Sequence, residues 1–183
     1  MISMAIGSIA FPFLPLLPSQ ILLTNFLTDI PALTIASDNV DIELLEKPRK
    51  WDVKSIRTFM IAFGLESSLF DILSFLVLIF VFHASEEVFR TGWFIESVIT
   101  EILILLIIRT RRPFFKSKAG KPLLFSSIIV ILISLSIPFF PPAASLGFIP
   151  LSLQLIVAIC MISALYAFFS EITKTILFKK MNY

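Results

Sequence analysis

The sequence has few of the residues that soluble enzymes use for chemistry and solvation. It contains one cysteine, one histidine and five glycines among 183 residues, and 15% of its residues are charged, against about 25% in a typical globular protein. The single cysteine, Cys160, excludes an internal disulfide and a multi-cysteine metal site, and we expect it to be a buried thiol that packs as a small hydrophobic group.

The motifs of soluble catalysis are missing as well. The sequence has no glycine-rich phosphate loop, no paired metal-ligand histidines and no nucleophile elbow. Its one histidine, His83, falls at the end of an apolar block, where we expect it to be solvated. We therefore predict no catalytic residue and no permanently bound cofactor in this chain. The net charge of +2 is too small to suggest nucleic-acid binding.

What the sequence has in abundance is apolar residues, which make up 57% of the chain and include 20 phenylalanines. The mean hydropathy is +0.97. Six apolar blocks cover residues 1–17, 19–37, 56–82, 92–108, 122–140 and 150–178. A helix needs about 20 residues to cross the hydrocarbon core, and the last five blocks are long enough. The pattern predicts an all-α membrane protein in the lipid bilayer, with an incomplete first helix followed by five transmembrane helices.

The first block is expected to be incomplete because prolines interrupt it. Pro12, Pro15 and Pro18 follow Phe11 at three-residue spacing, and proline removes a backbone donor and ends a helix. Eleven residues rise only about 16 Å, half of a membrane. We interpret this block as a spanning helix without its front half.

Basic residues are unevenly distributed among the connections between blocks. Fourteen of the fifteen lie between blocks two and three, between blocks four and five, or around the end of block six, whereas Arg90 alone lies in the other connections. The positive-inside rule makes the basic side cytoplasmic, which places the C-terminus in the cytoplasm. The one long polar stretch, residues 38–55, mixes charges of both signs and is predicted to be an ordered cytoplasmic loop.

Block two contains the polar residues that are most informative about function. Asn25, Thr28 and Asp29 occupy positions i, i+3 and i+4, which share one helix face. They offer an amide oxygen, a hydroxyl and a carboxylate, which are hard ligands suited to Mg²⁺ or Ca²⁺. Pro31 leaves the carbonyl of Leu27 without its helical donor, and interrupted helices often build ion sites in membranes. The alternative is a kinked helix whose polar residues bond to neighbouring helices.

Other acidic residues lie within blocks three and four. Glu66 and Asp71 are separated by five residues, as are Glu96 and Glu101, so each pair diverges by about 140° around its helix. Glu101 is the deepest of the four and is a candidate for ion contact. We expect Asp71 to bond to a neighbouring helix, and Glu66 and Glu96 to have structural or solvated roles nearer the helix ends.

The run Thr24-Asn25-Phe26-Leu27-Thr28-Asp29 resembles the sixth membrane helix of P-type cation ATPases, with its pattern Asn-x-x-Thr-Asp. Other parts of the chain look like the magnesium-translocating branch of that family. These are Pro15 to Leu23, Asp38-Asn39-Val40-Asp41, Lys47-Pro48-Arg49-Lys50-Trp51, Phe70 to Phe75, Thr91-Gly92-Trp93-Phe94 and Arg109 to Phe114. The resemblance covers essentially the whole chain, residues 1–183.

The resemblance implies that the six blocks correspond to membrane helices five to ten of such a pump. It implies Asn25, Thr28 and Asp29 as ligands of a transported Mg²⁺, and Glu101 as the nearest match to an eighth-helix ligand of related calcium pumps. The phosphorylation, nucleotide-binding and actuator domains and helices one to four are not in this sequence. ATP-driven transport, inward for magnesium, is therefore expected only when this fragment joins that missing N-terminal part as its partner. A small stand-alone cation carrier or channel, and an accessory helix bundle, are the alternatives.

Overall fold

The chain folds as a helical bundle, which the computed structural model describes over residues 2–39 and 53–180. Within those residues it has six α-helices and no strand. The helices are α1 (Ile2–Ala10), α2 (Pro18–Thr34), α3 (Val53–Leu76), α4 (Glu86–Ile108), α5 (Lys121–Ser136) and α6 (Leu153–Lys180). A π-helical turn, Val77–Val81, extends α3. The short 3₁₀ segments Ile35–Ser37, Ile137–Phe139 and Pro141–Leu146 follow α2 and α5. The predicted all-α class is confirmed.

Four segments are long and apolar enough to cross a membrane: Val53–Val81, Glu86–Ile108, Lys121–Phe139 and Leu153–Lys180. They correspond to four of the five predicted spans. The remaining one, α2, has 17 residues, a rise of about 26 Å. With the 3₁₀ turn Ile35–Ser37 the helical segment reaches about 32 Å, close to the thickness of the hydrocarbon core.

The prolines after the first block have the effect that the sequence predicts. Helix α1 ends at Ala10, and its last backbone hydrogen bond runs from Phe11 N–H to the Gly7 carbonyl at 2.9 Å. Pro18 occupies the first turn of α2, where a missing N–H costs nothing. The chain thus turns from one helix into the next within seven residues.

Helix α4 forms the centre of the bundle. It packs against α2, α3, α5 and α6, and its N-terminal half is buried almost without interruption from Phe89 to Thr100. Phe89, Phe94 and Val98 have no exposed surface, and Phe94 makes an edge contact with Phe148 beyond α5. Helices α2, α3, α5 and α6 are therefore positioned by what they place against α4, whereas α1 packs against α3.

Helix α1 approaches its neighbours closely through two small residues. Ser3 and Gly7 are buried whereas Ala10, the next small residue along this face, is exposed. A Cβ at Gly7 would lie 2.7 Å from Pro15 Cγ and 3.4 Å from the Phe75 ring. The absence of a side chain at Gly7 is what lets α1 pack here.

The ends of α2, α4 and α5 that carry the basic segments are tied together through Asp38. Its carboxylate accepts hydrogen bonds from the Arg109 guanidinium at 2.9 Å and from Gly120 N–H at 2.6 Å. Arg109 also donates to the Ser117 carbonyl at 2.8 Å. Of the predicted loop 38–55, Val53–Ser55 already belong to α3, and residues 40–52 lie outside the described part of the chain.

A buried lysine holds the same end of the bundle. Lys174, on α6, has no exposed surface and forms a 2.8 Å ion pair with Glu171. Its ammonium also donates to the Ile107 carbonyl at 3.2 Å and to the Arg112 carbonyl at 2.8 Å. Because Ile107 belongs to the last turn of α4, Lys174 supplies a donor and a positive charge where the helix has free carbonyls.

The structure contradicts the expectation for Cys160 and excludes the solvated one of the two roles expected for Glu96. Cys160 is exposed on the outside of the bundle, because it lies on the face of α6 that no other helix covers. Glu96 is buried, with 1% of its surface exposed, because α4 is enclosed on every side at that depth. His83 is exposed as expected, and its φ of 47° lies in the left-handed region.

We predict that Gly7→Ala destabilises the bundle by about 1–3 kcal/mol, because the added methyl group has to displace the Pro15 ring. Gly64 is the matched control, since nothing lies within 4 Å of a Cβ built there. Gly64→Ala should leave stability unchanged or raise it by up to about 1 kcal/mol through helix propensity. Thermal unfolding of the purified chain in mild detergent measures both. Equal melting temperatures for the two variants would contradict close packing at Gly7.

We also predict that Lys174→Met lowers the free energy of unfolding by about 3–5 kcal/mol, because it leaves Glu171 and two carbonyls without their donor. Lys179→Met, at an exposed position one turn later, should have little effect. Denaturant titration followed by circular dichroism distinguishes them. If the two variants lose the same stability, the buried ammonium is not what secures the end of α4.

Candidate functional site

The candidate cation ligands lie on helix α2, which is continuous from Pro18 to Thr34. Asn25 and Asp29 are exposed and Thr28 is buried, so the three residues straddle the edge between the covered and uncovered faces. The Thr28 hydroxyl donates to the Thr24 carbonyl at 3.1 Å and approaches the Asn25 carbonyl at 3.4 Å. Asn25, Thr28 and Asp29 thus share one side of the helix, as their spacing predicts.

The sequence suggested that Pro31 interrupts α2, and the structure shows that it does not. The residue is buried inside a helix that continues to Thr34, and the Thr34 hydroxyl donates to the Pro31 carbonyl at 2.8 Å. Proline still supplies no N–H to the Leu27 carbonyl. The local effect is therefore the loss of one helical hydrogen bond, and the backbone stays helical because α4 and α5 pack along α2.

Glu101, on α4, faces the ligand side of α2. Its carboxylate lies within hydrogen-bonding reach of the Thr28 hydroxyl and close enough to Asp29 for the two charges to interact. Asn25 and Glu101 border one cavity, and Thr28 and Asp29 lie near Glu101 between α2 and α4. Asp29 and Glu101 are both exposed, so the prediction that Glu101 is the deepest of the four acids is wrong; Glu96 is the buried one.

The cavity beside these residues has a volume of about 480 Å³. Helices α1, α2, α3, α4 and α6 enclose it. Its polar lining residues are Ser3, Thr24, Asn25, Ser67, Asp71, Ser97, Thr100, Glu101 and Tyr166. Nine of the sixteen lining residues therefore bring a polar group to this space, although apolar side chains also line it.

Several of these lining residues were not singled out from the sequence. Trp93, Ser97, Thr100 and Glu101 follow one another at i, i+4, i+7 and i+8, which places them on one face of α4. This spacing is a visible signal, but small hydroxyl residues also serve helix packing in membranes. Only the tertiary structure shows that this face of α4 lines a cavity that Asn25 of α2 also borders.

The remaining acids make contacts between helices. Asp71 Oδ1 accepts a 2.9 Å hydrogen bond from the Trp93 indole N–H, which confirms its predicted bond to a neighbouring helix. Trp93 itself is buried. Glu66 Oε1 accepts a 2.9 Å bond from the Ser170 hydroxyl of α6.

Within residues 2–39 and 53–180, no three His, Cys, Asp or Glu side chains come together as a metal-binding group. A cation at Asn25 and Asp29 would therefore be held by few carboxylates and several neutral oxygens. Mg²⁺ tolerates such a site, since it keeps part of its water shell and takes one or two carboxylates.

Comparison with known proteins shows the family to which the chain belongs. The family model described as "Cation transporting ATPase, C-terminus" matches residues 13–176, which is most of the chain. The chain belongs to this family. The resemblance inferred from the Asn-x-x-Thr-Asp pattern and its companion motifs is thereby confirmed.

The individual relatives that the chain matches are named magnesium-transporting ATPases. The magnesium-transporting ATPase, P-type 1, of Escherichia coli K12 is 41% identical over 149 residues, covering 79% of this chain and 17% of that protein. A protein of the same name from Salmonella typhimurium LT2 is 39% identical over 157 residues, covering 83% of this chain and 17% of the relative. The chain therefore spans about a sixth of the length of the curated relatives that it matches.

Proposed function

We propose that this chain is the C-terminal membrane part of a P-type ATPase that transports Mg²⁺, inward, at the expense of ATP. The observation that carries the proposal is the convergence of Asn25, Thr28, Asp29 and Glu101 in a member of this family whose relatives are named magnesium-transporting ATPases. ATP binding and phosphorylation would come from the parts of the pump that this chain does not contain, and those parts would also complete the cation site.

Asp29 is the principal anionic ligand in this proposal. A carboxylate in a membrane helix costs about 2.5–3.5 kcal/mol on insertion scales, so it needs a partner. No lysine or arginine occurs in residues 1–46, and Asp29 forms no ion pair in the described structure. The Glu101 carboxylate faces it instead, and two facing carboxylates attract a cation.

Asn25 and Thr28 have the supporting roles. The Asn25 side chain borders the cavity and offers a neutral oxygen there. The Thr28 hydroxyl donates within the helix, which leaves its oxygen lone pairs free to face a cation or its water shell. This arrangement gives a site of low charge, which fits a divalent ion that retains water.

The membrane orientation belongs to the same proposal. We place the basic segments and the C-terminus in the cytoplasm of a bacterial cell, with the multi-pass bundle in its plasma membrane. The charged network of Asp38, Arg109 and Lys174 then lies on the cytoplasmic side. The connections around His83 and Ser145 face outward and are nearly free of basic residues.

Asp29→Asn tests the site in a chimeric pump in which this chain replaces the matching C-terminal region of the Escherichia coli relative. We expect the apparent affinity for Mg²⁺ to fall at least tenfold, which corresponds to about 1.4 kcal/mol, because the main anionic ligand is lost. Mg²⁺-stimulated ATP hydrolysis and uptake into vesicles are the measurements. Glu87→Gln, at an exposed position before the bundle core, is the control.

Unchanged affinity and transport in Asp29→Asn, at equal expression, would remove this residue from the site.

The alternative function, a stand-alone cation carrier, predicts a different result. The 183-residue chain alone, reconstituted in liposomes without ATP, would then carry Mg²⁺ down its gradient. An accessory bundle would not carry Mg²⁺ by itself, and a chimera that contains it would be inactive with or without the Asp29→Asn change.

Cysteine labelling tests the orientation. Ser117 lies in the basic connection but is buried, so the neighbouring exposed residue Lys118 is the better position. In a Cys160→Ser background, Lys118→Cys should react with a membrane-impermeant thiol reagent only after the cytoplasmic side is opened. Ser145→Cys, in the connection between α5 and α6, should react from outside in intact cells. The reverse pattern would contradict the topology.

A further inference from the structure

A second group of acids lies away from the predicted cation ligands, between α3, α4 and α6. Its centre is Glu96, which has 1% of its surface exposed. Its carboxylate oxygen Oε2 has no hydrogen-bond partner, and neither does the buried hydroxyl of Ser74 on α3. These two atoms belong to side chains that face each other. A buried pair of unpaired polar atoms inside a membrane bundle calls for an explanation.

The charges around Glu96 are of one sign. Asp71 on α3 is close enough to repel a negative Glu96, and Tyr166 on α6 also faces it. The two basic residues of α4 and α6 nearest to the bundle interior are engaged elsewhere. Arg90 bonds to Glu86 and the Leu14 carbonyl, and Lys174 bonds at the far end of α4. Glu96 therefore has a negative neighbour and no positive one among the described residues.

The two carboxyl groups are not equivalent. Asp71 accepts a hydrogen bond from the Trp93 indole at 2.9 Å and borders the 480 Å³ cavity. It thus has a hydrogen-bond donor and borders a space that can hold water. Glu96 is not among the residues that line this cavity. An ionised Glu96 would keep one neutral donor at most, the Ser74 hydroxyl, whereas stabilising a buried carboxylate takes two or three donors.

We propose that Glu96 is a proton-binding site of the membrane bundle, which holds a proton at neutral pH and exchanges it with the cavity through Asp71. With the proton on Oε2, the carboxyl O–H donates to the Ser74 hydroxyl oxygen. A carboxylate could accept from that hydroxyl instead, but it would remain charged, with no second donor, at a position that is 1% exposed. The like-charge repulsion with Asp71 disappears on protonation. No bond other than the O–H bond forms or breaks, and the proton comes from cavity water by way of the Asp71 carboxylate.

This site is separate from the proposed cation ligands. Glu96 is five residues from Glu101 and points to α3 and α6, whereas Glu101 faces Thr28 and Asp29 on α2. Asp71 is the link, because it borders the cavity from the α3 side and lies beside Glu96. The cavity thus has a proton site near one wall and the predicted cation ligands at another.

Infrared spectroscopy of the purified 183-residue chain in lipid nanodiscs tests the proposal. A protonated carboxyl group has a carbonyl-stretch band that is distinct from carboxylate bands and shifts in D₂O. We expect this band at neutral pH in the wild type, its loss in Glu96→Gln, and its persistence in the control Glu87→Gln. In Asp71→Asn the band should remain but its shift in D₂O should develop more slowly, because the exchange route is interrupted.

Ser74→Ala provides an independent readout if Glu96→Gln does not fold. It removes the acceptor of the proposed O–H bond, so the carbonyl band should move to the frequency of a carboxyl group without that bond. Circular dichroism verifies the helical content of each variant. A wild type without the band, or a band that disappears in Asp71→Asn and survives in Glu96→Gln, overturns the assignment. A band that Mg²⁺ removes and a chelator restores also overturns it, since the pair would then bind metal.

Discussion

The structure depends on the enclosure of the N-terminal half of helix α4, from Phe89 to Thr100. In lipid the hydrophobic effect does not drive helices together, so close packing and satisfied polar groups have to do so. Helix α4 is covered by α2, α3, α5 and α6, and its polar residues therefore have only other helices, or a cavity, to face. This is why Thr100, Glu96 and Glu101, which are neighbours on one helix, have three different surroundings.

The enclosure of α4 is secured at both ends by buried polar side chains from other elements. At one end, Gln20 of α2 accepts from Leu17 N–H at 3.1 Å and donates to the Leu146 carbonyl at 3.2 Å. This bond joins the start of α2 to the connection that follows α5. At the other end, Lys174 bonds to the final turn of α4. At each end, a long polar side chain joins two segments by hydrogen bonds to backbone carbonyls.

The cavity follows from the same arrangement. Small residues on α1 and hydroxyl residues on α3 and α4 leave space beside α4 that larger side chains would fill. The space is lined by groups that can bind water or a cation, and it carries carboxylates on two walls. A transport site needs both properties, since an ion must exchange water for protein oxygens without entering a purely apolar region.

The sequence by itself determined the class of the protein, the positions of the spans and the family. Those conclusions depend on hydropathy, proline spacing and local motifs such as Asn25-x-x-Thr28-Asp29, which are legible along the chain without knowledge of its folding. The spacing of Asn25, Thr28 and Asp29 also predicted their common side of α2, because helical geometry is local. The continuity of α2 through Pro31 was not predictable, because neighbouring helices maintain the backbone there.

Only the tertiary structure decided which side of each helix is covered and therefore what each polar side chain does. Cys160 and Glu96 both lie in apolar runs, yet one faces the outside of the bundle and the other is enclosed. Their sequence surroundings are alike, and the difference arises because α6 is at the edge of the bundle and α4 at its centre. Burial in a membrane bundle is a property of the rotation of each helix against its neighbours, and a hydrophobic run of residues does not encode that rotation locally.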